Sequence, residues 1–288
     1  MKKFELTTEF ITNALGKKLF RIKALVEFGS VKAGELGGYA EKEENISQDG
    51  NAWVSGDARV YGNAWVSGDA RVYGDAWVHG NAKVFGNAEV YGDTEVSGDA
   101  KVFGNVRVSD NVRVSDNAKV FGNAEVYGDA KVSDNAKVFG NAKVYGDAKV
   151  SDNAKVFGDA CVYGDAKVYG NAWVYGDAWV HGNAKVFGNA WVYGDTEVSG
   201  DAKVSDNAEV SGDADYALVK GFGTEFRCTT FYRDKNKKIM VNCGCFHGDL
   251  EAFRKQVKET RSGKIAKEYL MIADLMEYHF TSEDSSNE

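Results

Sequence analysis

Two histidines, His79 and His181, are the residues of this chain best suited to act as a general base near neutral pH. Each stands in a Trp-Val-His-Gly segment, directly after a valine. In the repeat described below they fall on different faces and several coils apart, so one chain cannot bring them into a shared site. We expect both to be surface residues, and we keep a catalytic role as the alternative.

A second group of reactive side chains lies near the C-terminus and consists of Cys228, Cys243, Cys245 and His247. Thiolates and imidazoles are the ligands that zinc prefers. A hairpin turn at residues 235 and 236 would place Cys228 opposite Cys243. Because free cysteine is among the most buried residue types, we expect buried thiols in a small core. A zinc site and a redox pair remain alternatives, and no bound metal or cofactor is expected.

A third pattern is a set of phenylalanines and lysines that recur every 18 residues. The set comprises Phe85, Phe103, Phe121, Phe139 and Phe157, with Lys83, Lys101, Lys119, Lys137 and Lys155 beside them. Monomers seldom leave a continuous apolar strip bare, so we expect this strip to bind a second copy of the chain. Aromatic and basic ranks also suit single-stranded nucleic acid. The net charge of −8 argues against that partner.

These residues belong to a six-residue repeat that runs from Gly50 to Ser211 through 27 units without an insertion. Each unit reads Gly or Asp, Asn or Asp, Ala, any residue, Val, any residue. Ala and Val are two positions apart, so they share one face of a short strand. The Gly-Asn and Gly-Asp pairs suit corners, because they tolerate positive φ. A hexapeptide period of this kind indicates a parallel β-helix.

The side chains after Val sort into three ladders when the chain is read every 18 residues. One ladder is the phenylalanine set, one is Ser97, Ser115, Ser133 and Ser151, and one is Tyr73, Tyr91, Tyr127, Tyr145 and Tyr163. Three units therefore make one coil. The predicted fold is an all-β solenoid of about nine coils. The hexapeptide unit is typical of the left-handed β-helix.

The two ends depart from the repeat and predict caps. Residues 1–49 are expected to form an N-terminal β cap, with strands near residues 4–10 and 19–28. Residues 50–215 form the β-helix. Residues 216–288 are expected to form a small α+β module with two strands, then two helices, the first capped by Asp249. Residues 281–288 are expected to be a disordered tail.

Composition excludes several classes of protein. No apolar run approaches the about 18 residues of a membrane span, and the N-terminus lacks the apolar centre of a signal peptide. Four cysteines do not make a disulfide scaffold. We therefore expect no membrane association and a cytoplasmic location.

The stretch FRIKALVEFGSVKAGELGGYAEKEENISQDGNAWV, residues 20–54, resembles the YdcK-like family of hexapeptide-repeat proteins. The segments TTFYRDKNKKIMVNCGCFHGDLEAF and AKEYL resemble a small module of phage and prophage proteins. The first resemblance implies the left-handed β-helix. The second implies a phage or prophage origin and a location in the host cytoplasm. Neither carries catalytic residues that could be transferred to this sequence.

Together these features predict a non-enzymatic structural or partner-binding protein that acts on a host macromolecule of unknown identity. The alternative is an acyltransferase of the hexapeptide-repeat type, which would use acyl-coenzyme A at a trimer interface near His79 or His181. The absence of an inserted loop argues against an enzyme, because such loops usually build the site. A homo-oligomer is expected, with a trimer favoured by the resemblance.

Overall fold

The computed structural model describes residues 2–281, and its central part is a three-sided parallel solenoid. Each solenoid strand pairs with the strands 18 residues before and after it. Val90, for example, pairs with Val72 and with Val108. The predicted parallel β-helix with 18-residue coils is confirmed.

The strands and helices have the following bounds. The N-terminal strands are β1 (Phe4–Thr12), β2 (Lys18–Ala24) and β3 (Leu36–Ala40). The solenoid strands are β4 (Trp53–Val54), β5 (Arg59–Val60), β6 (Trp65–Val66), β7 (Arg71–Val72), β8 (Trp77–Val78), β9 (Lys83–Gly86), β10 (Glu89–Val90), β11 (Glu95–Val96), β12 (Lys101–Gly104), β13 (Arg107–Val108), β14 (Arg113–Val114), β15 (Lys119–Gly122), β16 (Glu125–Val126), β17 (Lys131–Val132), β18 (Lys137–Val138), β19 (Lys143–Val144), β20 (Lys149–Val150), β21 (Lys155–Val156), β22 (Cys161–Val162), β23 (Lys167–Val168), β24 (Trp173–Val174), β25 (Trp179–Val180), β26 (Lys185–Val186), β27 (Trp191–Val192), β28 (Glu197–Val198), β29 (Lys203–Val204) and β30 (Glu209–Val210). The C-terminal elements are β31 (Tyr216–Phe222), β32 (Arg227–Arg233), β33 (Ile239–Cys243), β34 (Phe246–Asp249), α1 (Leu250–Thr260) and α2 (Gly263–Thr281).

Every third solenoid strand joins the same sheet. The tyrosine sheet runs from β4 to β28, the serine sheet from β5 to β29, and the phenylalanine sheet from β6 to β30. Each is named after the ladder of side chains that follows its valines. The serine sheet continues past β5 into β3, β2 and β1.

The core consists of the Ala and Val positions of the repeat, as the alternation predicts. Ala142 and Val144 have no exposed surface, and the same holds along nearly the whole rod. Where Thr94 and Thr196 replace Ala they are also fully buried. Their hydroxyls donate to the carbonyls of Tyr91 and Tyr193, at 2.6 and 2.7 Å, so burial leaves neither hydroxyl unpaired.

The corners use left-handed backbone, which is supplied by Gly in most units and by Asp in a few. Asp134 has a φ of 58°. Its Oδ2 accepts a hydrogen bond from the Ser133 hydroxyl at 3.0 Å and another from the backbone N–H of Asp152 at 3.2 Å. The carboxylate therefore links one coil to the next, which offsets the cost of this conformation in a residue with a Cβ.

The N-terminal segment adds a turn that the repeat count did not include. Ala40 pairs in parallel with Val60, and Ile46 with Val66. The solenoid therefore has about ten turns, whereas nine were expected, because residues beyond the clean repeat still stack on its first coil. The strand expected at residues 19–28 corresponds to β2, which ends at Ala24. Strands β1 and β2 form an antiparallel hairpin, and β2 also pairs with β3 in antiparallel orientation.

The C-terminal module is an antiparallel sheet in the order β31-β32-β33-β34, packed against α1 and α2. It holds four strands, whereas two were expected. Asp249 is the N-cap of α1, as predicted, and its Oδ1 accepts from the backbone N–H of Ala252 at 2.7 Å. Phe231, Val241 and Phe253 form part of the small core of this module.

The module covers the last coil of the solenoid through β32. The backbone N–H of Lys203 donates to the Thr230 hydroxyl at 2.9 Å, and that of Lys235 donates to the carbonyl of Asn207 at 3.0 Å. These bonds engage backbone groups that an open strand edge would leave unpaired. The tail predicted to be disordered falls on residues 282–288, which lie outside the described residues, while Thr281 is the last residue of α2.

Candidate functional site

The phenylalanine face is the most regular surface of the rod. Its five rings, Phe85, Phe103, Phe121, Phe139 and Phe157, stack in parallel with centroids 4.8–5.0 Å apart and interplanar angles of 1–3°. Tyr175 and Tyr193 extend the stack toward the C-terminal end. Each phenylalanine is half-buried. Neighbouring rings cover both faces of each phenylalanine except Phe85, which begins the stack and has a ring on one face only.

A row of lysines runs beside these rings on the same sheet. Lys83, Lys101, Lys119, Lys137 and Lys155 occupy equivalent positions in successive coils. Within residues 2–281 none of the five ammonium groups forms an ion pair at 4 Å or less, although Lys155 Nζ lies 4.0 Å from the centroid of the Trp173 ring. Like charges one coil apart repel, so this row favours an acidic partner surface.

Tyrosines on a second sheet form a comparable ladder. Tyr127, Tyr145 and Tyr163 stack at 4.7–4.8 Å, and Tyr73 stacks on Tyr91 at 4.8 Å. Burial raises the pKa of Tyr145 to about 12, and the neighbouring Tyr127 adds to the shift. This ladder is interrupted at Ser109, so it is less continuous than the phenylalanine stack.

The two candidate bases lie on different sheets, as the repeat predicts. His79 stacks on Tyr61 with centroids 4.9 Å apart, and its Nε2 lies 3.0 Å from an oxygen of Glu95. His181 stacks on Tyr163 at 4.6 Å, and its Nε2 lies 2.7 Å from Glu197. Each imidazole is therefore already engaged by a ring and by a carboxylate of its own chain. The two histidines do not converge.

The expected pairing of Cys228 with Cys243 is wrong by one residue. Thr229 lies opposite Cys243, and its hydroxyl is 3.1 Å from the Cys243 sulfur. The connection spans residues 234–238 and is closed by Asp234, whose Oδ1 accepts from the backbone N–H groups of Asn236 and Lys238. This odd-numbered loop shifts the register.

The four candidate zinc ligands lie in different environments. Cys243 packs against the core of the C-terminal module, and Cys245 is exposed in the turn that follows β33. His247 pairs with Asn242 on the adjacent strand and its Nε2 lies 2.6 Å from Asp206 of the solenoid. Burial raises the pKa of the Cys228 thiol, which favours its protonated form. Within residues 2–281, no group of three or more His, Cys, Asp and Glu could hold a metal ion.

Sequence reasoning missed a polar network between the last coil and the C-terminal module. The Tyr232 hydroxyl is fully buried and lies 3.0 Å from Ser205 Oγ, 3.1 Å from His247 Nε2 and 3.3 Å from Asn242 Nδ2. Burial raises the pKa of Tyr232 to about 12, so the phenol stays protonated. The network is buried and connects the last coil of the solenoid to the C-terminal module, so it suits a structural role. The sequence offers one signal of this network, which is that Ser205 stands directly before a corner aspartate, Asp206.

Two family models match parts of this chain. The model of the bactofilins, described as polymer-forming cytoskeletal proteins, matches residues 43–143. The model of the YdcK β-solenoid repeat matches residues 166–182. No curated protein matches the chain.

Both matched segments fall within the solenoid. The YdcK match lies in the repeats at residues 166–182, whereas the predicted resemblance to YdcK-like proteins was based on residues 20–54. The similarity to bactofilins was not foreseen. Among the described residues, no helix is both long enough and apolar enough to span a bilayer.

Proposed function

We propose that this chain is a non-enzymatic structural protein whose solenoid associates with further copies through the phenylalanine face. The observation that carries the proposal is the unbroken stack of five parallel, half-buried phenylalanine rings. A strip of this kind exposes apolar surface to water, which is unfavourable until another surface covers it. The similarity to polymer-forming bactofilins supports self-association, though not a particular face.

The strands under the first three phenylalanines are longer than elsewhere in the rod. Strands β9, β12 and β15 have four residues, while the other strands of the solenoid have two. In these three coils the phenylalanine and the following glycine also belong to the paired ladder. The extended pairing fixes the positions of Phe85, Phe103 and Phe121 on the surface that a second rod would contact.

Charges at the edge of the strip suit a second copy as the partner. The lysine row is bordered by a row of corner acids, Asp116, Asp134 and Asp152. A second copy packed on this face would bring the lysines of one rod toward the acids of the other. The interface would then combine an apolar centre with complementary charged margins.

The domain bounds, the oligomer, the origin and the partner of the chain are also proposals. Residues 1–49 and residues 216–288 contain the caps of the rod of residues 50–215, and the N-terminal segment also adds one turn to that rod through Ala40 and Ile46. A trimer, a phage or prophage origin and a host macromolecule as partner remain proposals that rest on resemblance. Acyl transfer is the less favoured function, because His79 and His181 are each engaged by a glutamate and lie on different sheets.

The test compares two matched triple variants by light scattering coupled to size exclusion. Phe103→Ser, Phe121→Ser and Phe139→Ser remove the strip, and the repeat itself carries Ser at this position in Ser115 and Ser133. The control carries Tyr127→Ser, Tyr145→Ser and Tyr163→Ser, which remove an aromatic ladder from another face. Circular dichroism verifies that both variants keep the β-solenoid.

We expect the wild type and the tyrosine control to form oligomers at micromolar concentration and the phenylalanine variant to be monomeric. A wild type that is monomeric would contradict self-association. A phenylalanine variant that keeps its oligomer would contradict this face as the interface.

A further inference from the structure

A cavity of about 450 Å³ lies between the loop of residues 29–35 and the first coils of the tyrosine sheet. Its lining includes Glu35, Trp53, Ser55, Asp69, Arg71, Tyr73 and Glu89. Its walls therefore combine two aromatic rings with hydrogen-bonding side chains of both charges. The self-association proposed above makes no use of it.

The ring of Tyr73 has one covered face and one open face. Tyr91 stacks on it at 4.8 Å with an interplanar angle of 2°. The ladder position on the other side is occupied by Ser55, whose backbone N–H bonds to the coil of Tyr73 at the carbonyl of Val72. Among the described residues, no ring stacks on Tyr73 from that side. The tyrosine ladder thus lacks a ring at Ser55, and the cavity includes the space that such a ring would fill next to Tyr73.

The second aromatic residue, Trp53, is held rigidly at the base of the cavity. Phe4 and Phe28 contact its indole edge to face, with centroids 6.4 and 5.4 Å away. Trp53 is 6% exposed, and its Nε1 is buried with no acceptor among the described residues.

The polar groups of the lining select against an anionic ligand. Glu35, Asp69 and Glu89 would repel an anion, and the exposed Arg71 guanidinium lies among them. Arg71 has no ion pair within residues 2–281, so its N–H groups can donate to a ligand oxygen. A neutral ligand with many donors and acceptors can bond to the carboxylates and to Arg71 at once.

Some of these groups are already held in place by the protein. The Asn51 side chain donates to Asp69 Oδ1 at 2.8 Å, and the backbone N–H of Lys32 donates to Glu35 Oε2 at 3.0 Å. Each of these carboxylates keeps further acceptor capacity. The site is thus largely formed before any ligand arrives, as is usual for small-molecule pockets.

We propose that this cavity binds a neutral saccharide, with one pyranose ring on the open face of Tyr73. The apolar C–H face of the sugar would take the place of the missing ring above Ser55. Its hydroxyls would bond to Asp69, Glu89 and Arg71. A flat aromatic ligand could also stack there, but the number of polar side chains in the lining favours a polyhydroxyl compound.

The probes are cellobiose, maltose and diacetylchitobiose, each added to the full-length chain and observed by saturation-transfer difference NMR. Choline and adenosine test a cationic and an aromatic ligand under the same conditions. We expect saturation transfer to the C–H protons of at least one disaccharide at about 10 mM. No transfer to any of the three sugars, or stronger binding of choline or adenosine, would overturn the proposal.

Three variants locate the site. Tyr73→Ser removes the stacking face and should weaken binding by at least about tenfold. Ser55→Tyr fills the space with a ring that continues the ladder, so it should abolish binding while the protein melts at an equal or higher temperature. Tyr145→Ser, in the same ladder but far along the rod, should bind as the wild type does. Binding that survives Ser55→Tyr would place any sugar elsewhere and contradict the assignment.

Discussion

Each core position of the solenoid accepts a narrow range of side-chain volumes. The alanine positions are fully buried beside the corners, and only Thr or Val replaces Ala in the repeat. Val106 and Val112 show that two further carbons fit at this position. The valine position is Val in every unit. Because the core repeats the same layer, added side-chain volume should affect stability in a similar way in every coil. Substitution of one alanine by a larger residue tests this expectation.

We predict that Ala142→Leu lowers the free energy of unfolding by about 1–3 kcal/mol, because the longer side chain overpacks a corner. Ala142→Val is the matched control and should cost less, since Val106 occupies the equivalent site two coils earlier. Urea denaturation followed by circular dichroism measures both. Equal stability of the Leu variant and the wild type would show that this position does not face the core.

At the scale of elements, the regular part of the fold was predictable and its two ends were only partly so. The Ala-x-Val alternation defines inward and outward faces in every coil, so strands and register follow from local rules. Asp249 could be recognised as an N-cap because its side chain needs only the first turn of α1. Local signals of this kind require no knowledge of distant parts of the chain.

The ends depend on contacts that local patterns do not encode. The extra turn at Ala40 and Ile46 forms because those residues dock on the first coil, although their spacing to it differs from 18. The register of Cys243 follows from side-chain hydrogen bonds of Asp234 across a five-residue loop. The saccharide cavity and the Tyr232 network join segments that are remote in sequence. No periodicity could have placed those groups together.

The N-cap of α1 gives a prediction that depends on pH. The hydrogen bond from Lys238, and then the one from the Ala252 N–H, hold the pKa of Asp249 below its usual range. The folded-state pKa is thus lower than the unfolded one. The carboxylate stabilises the fold above the unfolded pKa, and this stability is lost as the pH falls through the folded pKa.

Asp249→Ala should therefore cost about 1 kcal/mol at neutral pH. The difference from the wild type should shrink toward zero in acid, below both pKa values. Asp249→Asn keeps a capping acceptor and should cost less. Unfolding free energies measured across the acid range provide the test. A difference that stays constant or grows on acidification would contradict this assignment.

At the scale of the whole molecule, both ends of the rod are covered and its sides are not. The β1–β2 hairpin continues one sheet beyond the first coil, and β32 with Tyr232 closes the last. Covered ends leave the long faces as the surfaces available for association. Among them, the phenylalanine face has the longest uninterrupted aromatic stack. We therefore predict side-by-side contact between rods.

Hydroxyl-radical footprinting of the wild-type chain tests this central claim without any substitution. Oxidation of Phe103, Phe121 and Phe139 is measured by mass spectrometry as the protein concentration is raised through the range of assembly, with Tyr127, Tyr145 and Tyr163 as internal controls on another face. We predict that the phenylalanines become protected several-fold while the tyrosines keep their monomer rates. Assembly that protects the tyrosines, or that leaves the oxidation of the phenylalanines unchanged, would contradict the account.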